Sequence, residues 1–156
     1  MRSVTNWVVT VNIFDDVTDC TAQNESQRVT AAKDVLRLVV AEGDCFCIFH
    51  SFGGAFVQFA QFTDVIGRSS GVMTIFEASS DFYGGQRHKP YFSPQKIDAL
   101  HKFGFSDNPV GNYFQYVDIE TEYDIHRCAR LALQVLRVVY EANDNWSSMT
   151  IECRPR

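Results

Sequence analysis

No run of apolar residues approaches the ~20 that a membrane-spanning helix requires, so no membrane partner is expected. The early Val8-Val9-Thr10-Val11 run is short, breaks at Asn12 and has no small-residue cleavage site after it, which argues against a signal peptide. Positive charge is also scarce: 14 Lys and Arg face 19 Asp and Glu, for a net charge of −5. The densest basic stretch, Arg87-His88-Lys89, is too small to follow a phosphate backbone, so no nucleic-acid partner is expected. The five cysteines are odd in number and form no CxxC pair, as expected for reduced thiols in a cytoplasmic protein. The glycosylation-type triplets at Asn24 and Asn145 then carry no meaning. Internal repeats and low-complexity tracts are lacking too.

What is present suits a packed core. Apolar residues make up 46% of the 156 positions, and 13 are Phe. That length fits one domain over residues 1–156, burying roughly two-thirds of the surface its unfolded chain exposes. Residues 6–14 alternate Trp7, Val9, Val11 and Ile13 against Asn6, Val8, Thr10 and Asn12, the two-residue period of a strand. The acidic group Asp15, Asp16 and Asp19 follows. It lacks the sixth-position Gly and twelfth-position Glu of an EF-hand loop, and the expectation is a solvated turn. From Ser26 to Glu42, Val29, Ala32, Val35, Leu36, Val39 and Val40 mark one helical face, opened by an Asn24/Gln27 cap and closed at Gly43.

Cys45–Phe52 and Ala55–Phe62 are β-rich runs around Gly53-Gly54, which predicts a hairpin with a two-residue turn. That turn would pair Phe52 with Ala55, His50 with Val57, Ile48 with Phe59 and Phe46 with Gln61. One face would carry Phe46, Ile48, Phe52, Val57 and Phe59, and the other Phe49, Phe56 and Phe62. Val72–Ala78 adds a third strand. Ser93-Pro94 starts a short helix, with Phe92 and Ile97 placed for a hydrophobic staple and Gly104 beyond its end. Tyr113–Ile119 reads as a strand, Glu122–Glu141 as a long amphipathic helix and Ser147–Cys153 as a last strand. The order predicts an α+β single domain: a twisted, mostly antiparallel sheet packed with two long helices and one short helix.

Catalytic chemistry needs a nucleophile, base or metal cluster in mutual reach. Of His50, His88, His101 and His126, only His50 has a nucleophile close by, Cys47, and strand alternation sends the two to opposite faces. Cys45-x-Cys47 has no further ligands at metal-site spacing, and no glycine pair makes a phosphate-binding loop. No catalytic, cofactor-binding or metal-ligating residue is assigned. The aromatic second face of the hairpin is the remaining candidate. Three Phe side chains at ~150–250 Å² each are more apolar surface than a monomer leaves wet. A helix of the same chain, a second copy or a bound protein segment would have to cover them. Phe49, Phe56 and Phe62 are therefore the candidate partner-binding or dimer face.

Val57-Gln58-Phe59-Ala60, then Ser93 to Leu100 with Gly104-Phe105, then Asn112-Tyr113 and the helix Ala129–Tyr140 resemble the bacterial YbjN-like and type III secretion chaperone-like domains. The resemblance spans about residues 26–142. It implies an α+β fold with a twisted antiparallel sheet, often dimeric, that binds peptides or partly unfolded protein segments, and it supplies no catalytic residue. The functional expectation is a non-enzymatic cytoplasmic chaperone that binds a client polypeptide as a homodimer and uses no cofactor. A small-ligand-binding or hydrolase domain with a sheet–helix pocket, or an immunity-type partner protein, is the alternative.

Overall fold

Three helices account for the apolar stripes: α1 (Glu25–Glu42), α2 (Pro94–Lys102) and α3 (Glu122–Val138). The computed structural model describes residues 7–13, 16–22, 24–42, 45–50, 56–63, 72–78, 93–107, 113–139 and 148–155. Each helix starts on a residue that satisfies a free backbone N–H. Asn24 Oδ1 accepts from the Gln27 N–H at 2.9 Å, and Ser93 Oγ from that of Lys96 at 3.3 Å. Thr121 and Asp124 form a reciprocal capping box: Thr121 Oγ1 accepts from the Asp124 N–H, and Asp124 Oδ2 from the Thr121 N–H. The T-x-x-D spacing of Thr121 and Asp124 is the sequence signal for this start. Gly43 and the Phe92 half of the staple lie outside the described residues.

Helix α2 ends as Gly104 predicts. Gly104 takes φ +96°, its N–H donates to His101 O, and the Phe105 N–H donates to Leu100 O, both at 3.0 Å. These are the two bonds of a Schellman motif, and its flanking residues Leu100 and Phe105 are both buried. A Cβ at Gly104 would lie 3.1 Å from Gln115 Oε1, whose amide nitrogen donates to Phe103 O.

Seven strands form one sheet: β1 (Trp7–Ile13), β2 (Asp16–Ala22), β3 (Cys45–His50), β4 (Phe56–Thr63), β5 (Val72–Ala78), β6 (Tyr113–Val117) and β7 (Ser148–Pro155). Their spatial order is β2-β1-β7-β3-β4-β5-β6. Only the β1–β7 pair is parallel, so the sheet is mixed and mostly antiparallel, and the α+β expectation holds. The N-terminal strand joins the main sheet, with β7 inserted between it and β3. The acidic stretch is not a turn. Residues 16–22 form edge strand β2, with Thr18 and Thr21 suited to a pleat and Asp19 exposed, a charge that blunts an open edge.

The two long crossovers explain why the helices share one side. From β2 through α1 to β3 the chain joins parallel strands and moves one way across the sheet. From β6 through α3 to β7 it joins a second parallel pair, running opposite to the first, and moves the other way. Crossovers of one hand then put both helices on the same face. There α1 packs on α3, and both pack on the sheet. The core gathers Val35, Leu36 and Val39 of α1, Ala132, Val135 and Leu136 of α3, and the strand residues Val9, Phe49, Phe59 and Ile151.

The hairpin register corrects the expected grouping. His50 pairs with Phe56, Phe49 with Val57 and Cys47 with Phe59. An odd number of residues, 51–55, separates the last pair, so a two-residue turn does not fit. One residue of slip exchanges the faces of one strand relative to the other. Cys47, Phe49, Val57 and Phe59 now point together into the helix layer, all with 0% exposure, and the Phe49 and Phe59 rings meet edge-on at 5.9 Å. Phe49 therefore belongs to the core and not to a face shared with Phe56. The sequence could not select this register because both hairpin faces are apolar.

Phe49→Ala should cost about 3–5 kcal/mol in denaturant unfolding, as for other buried Phe truncations. Gly104→Ala should cost about 1–2 kcal/mol, since a left-handed residue gains a Cβ facing Gln115.

Candidate binding surfaces

All three helices lie on the Phe49 side of the sheet. The opposite face carries Phe46, Ile48, Phe56, Gln58, Ala60, Phe114 and Tyr116 on adjacent and near strands. None of them is buried: Tyr116 is exposed and the rest are half-buried. Phe114 and Tyr116 stack edge-on, with ring centroids 5.7 Å apart. Of the three predicted contacts, then, Phe49 is in the core and Phe56 stands half-buried on the helix-free face. Phe62 sits in β4 in register with Met73, and its side chain lies outside the described residues. Phe46, Ile48 and Phe114 were missed as members of this face. Register alone identifies them, and periodicity does not supply register.

On the helix side, two open grooves flank α3. One, of about 690 Å³, lies between α1 and α3; the other, of about 720 Å³, lies between α3, the end of α2 and β6. His126, Arg130 and Gln134 line both. Ion pairs brace the helices at each end. Arg37 of α1 holds Glu122 through two short contacts, Nε to Oε1 at 2.8 Å and Nη2 to Oε2 at 2.7 Å. At the other end Arg137 Nη1 meets Glu25 Oε2 at 2.7 Å. Both pairs are solvent-exposed, so they orient the helices more than they stabilise them.

The described residues offer little catalytic geometry. His101 Nε2 lies 2.7 Å from Asp107 Oδ1, an exposed pair that ties the end of α2 to the following turn. The side chain of His50 and all of His88 lie outside the described residues. Cys47, Cys128 and Cys153 are buried free thiols, and burial pushes the Cys128 thiol up to about 11, away from the thiolate a nucleophile needs. Among the described residues no three His, Cys, Asp or Glu side chains converge as a metal site would require, and no helix is long and apolar enough to cross a membrane. In comparisons with protein-family models, with curated proteins and with solved structures, nothing matches the chain.

The hydrogen bond from Arg37 holds the Glu122 carboxyl below its ordinary value, and the backbone N–H groups of Glu120 and Thr121 do the same for Asp124. A carboxylate with a depressed folded-state pKa stabilises fully above its unfolded value, and that contribution disappears as pH falls through the folded value. The melting temperature should therefore fall as pH drops from about 5 to about 3. Glu122→Gln should make that fall shallower, as read from thermal melts across the series.

Proposed function

We propose that the chain is a non-enzymatic, cytoplasmic protein-binding module of the chaperone type, holding a partner polypeptide against the helix-free face of its sheet. The observation that carries this reading is the one-sided helix layer. It leaves Phe46, Ile48, Phe56 and Phe114 half-buried beside the exposed Tyr116, on a face with no described helix over it. An extended segment can lay alternate apolar side chains on such a surface. The net charge of −5 favours basic clients on approach. The likeness of the Val57–Ala60 strand and the α3 sequence to YbjN-like and type III secretion chaperone-like domains supports the same reading, with a second copy of the chain as a natural occupant. Buried free thiols accord with a reducing compartment.

Phe56→Ser tests the reading. The wild-type chain should show a dimer mass by light scattering or retain a polypeptide in pull-downs from its native cytosol, and the variant should lose both while its circular dichroism and melting curve stay near wild type. Unfolding of the variant would place Phe56 in the monomer core. Unchanged mass and unchanged capture would remove the face from consideration.

A further inference from the structure

Two of the buried thiols stand directly opposite each other. Strands β3 and β7 pair antiparallel with Cys47 in register with Cys153. No other two cysteines meet in the described strand pairs: Cys20 pairs with Val9, and Cys45 with Pro155. Both thiols lie on the helix side of the sheet, 0% and 1% exposed. Phe59 of β4 stands beyond Cys47 in the same row, and Ile13 of β1 beyond Cys153. The Cα atoms of directly opposed antiparallel residues are ~4.5–5.5 Å apart, inside the ~4.4–6.8 Å that a disulfide spans. Their Cβ atoms, ~4.5–5.5 Å apart, need to close by only about 1 Å to reach bridging distance. Among the described residues no third ligand joins the two sulfurs to make a metal site.

We infer that Cys47 and Cys153 form a redox site that a peroxide converts into a reversible disulfide, stapling β7 to β3. In a reducing compartment the pair rests as thiols, and disulfides formed there are transient. Burial keeps both sulfurs inert until the strand opens, and the sheet has a place for that opening. Cys153 is the last β7 residue with β1 at its side; in the described strands Arg154 and Pro155 pair with β3 alone. Local parting of this end exposes Cys153 first. Its thiolate attacks one peroxide oxygen, the O–O bond breaks, and the hydroxide that leaves becomes water with the proton the thiol gave up. The Cys47 sulfur then attacks the resulting sulfenic sulfur. The S–S bond forms, the S–O bond breaks, and a second water leaves with the Cys47 proton. The two thiols together lose two electrons and the peroxide gains them. Because the strands must draw together, the bridge is readily reduced again. Because it closes residues 47–153 into one loop, it constrains the unfolded chain strongly and raises stability.

The site lies beneath the helices and is independent of the proposed client face. The reduced chain is treated with equimolar hydrogen peroxide, blocked with iodoacetamide, digested without reductant and mapped by mass spectrometry. One linkage, between the peptides that hold Cys47 and Cys153, should dominate. The melting temperature of the oxidised chain should rise by about 5 °C or more and return to its starting value with dithiothreitol. Cys47→Ala and Cys153→Ala should each abolish both the linkage and the rise, and Cys128→Ala should leave both in place. The map of the wild-type chain decides the matter even where an alanine variant does not fold. A dominant linkage to Cys20, Cys45 or Cys128 overturns the inference, as does a linkage between two chains. Thiols that stay reduced, or oxidation that ends at sulfinic acid without a bridge, overturn it too. A Cys47–Cys153 bridge that leaves the melting temperature unchanged refutes the staple.

Discussion

The pairing of Cys47 with Phe59 and of Phe49 with Val57 fixes which side of the sheet every neighbouring residue occupies. Through β7 it aligns with Cys153 and Ile151, and through β1 with Ile13, Val11 and Val9, so that one alternation runs across most of the sheet. The helices α1 and α3 lie on the side this alternation makes most apolar. Because the crossovers leave both helices there, the other side stays without a helix among the described residues. The polarity of the molecule, with a helix layer and a half-buried aromatic face, follows from that single choice of register.

The two faces differ in chemistry. The sheet face has aromatic and aliphatic side chains at strand spacing, which suits backbone-extended apolar sequence. The helix side carries the two grooves flanking α3, with Tyr123 and Val138 exposed beside them. The exposed ion pairs Arg37–Glu122 and Arg137–Glu25 join α1 and α3 at opposite ends, as an antiparallel helix pair allows.

Much of the fold was legible because the signals were local. The stripes from Val29 to Val39 and from Ile125 to Val139, the Ser93-Pro94 start and the Gly104 stop each depend on residues within a few turns of one another. What failed was non-local. The β3–β4 register could not be read because Phe46 and Ile48 on one side are as apolar as Cys47 and Phe49 on the other, so alternation assigns no face to the core. β2 was hidden because Asp16 and Asp19 look like a turn, although an edge strand is where such charges belong. The parallel contact of Val9 with Met149 joins positions at opposite ends of the numbering, and nothing in either segment names the other. The candidate face suffered from the same gap: Phe56 was found, Phe49 was misassigned, and Phe46, Ile48 and Phe114 were overlooked.

The interior place of β7 has a consequence for how the chain assembles. Before residues 148–155 are in hand, the sheet can exist only as two pieces, the β1–β2 hairpin and the β3-to-β6 meander, each with a raw, unpaired border where the missing strand belongs. During synthesis these borders stay exposed for as long as α3 and the segment after it take to emerge, a window in which strand-to-strand pairing between neighbouring nascent chains competes with correct closure. Such a protein depends on late, long-range closure, the slow kind of folding, and stays open to mispairing until its seventh strand docks.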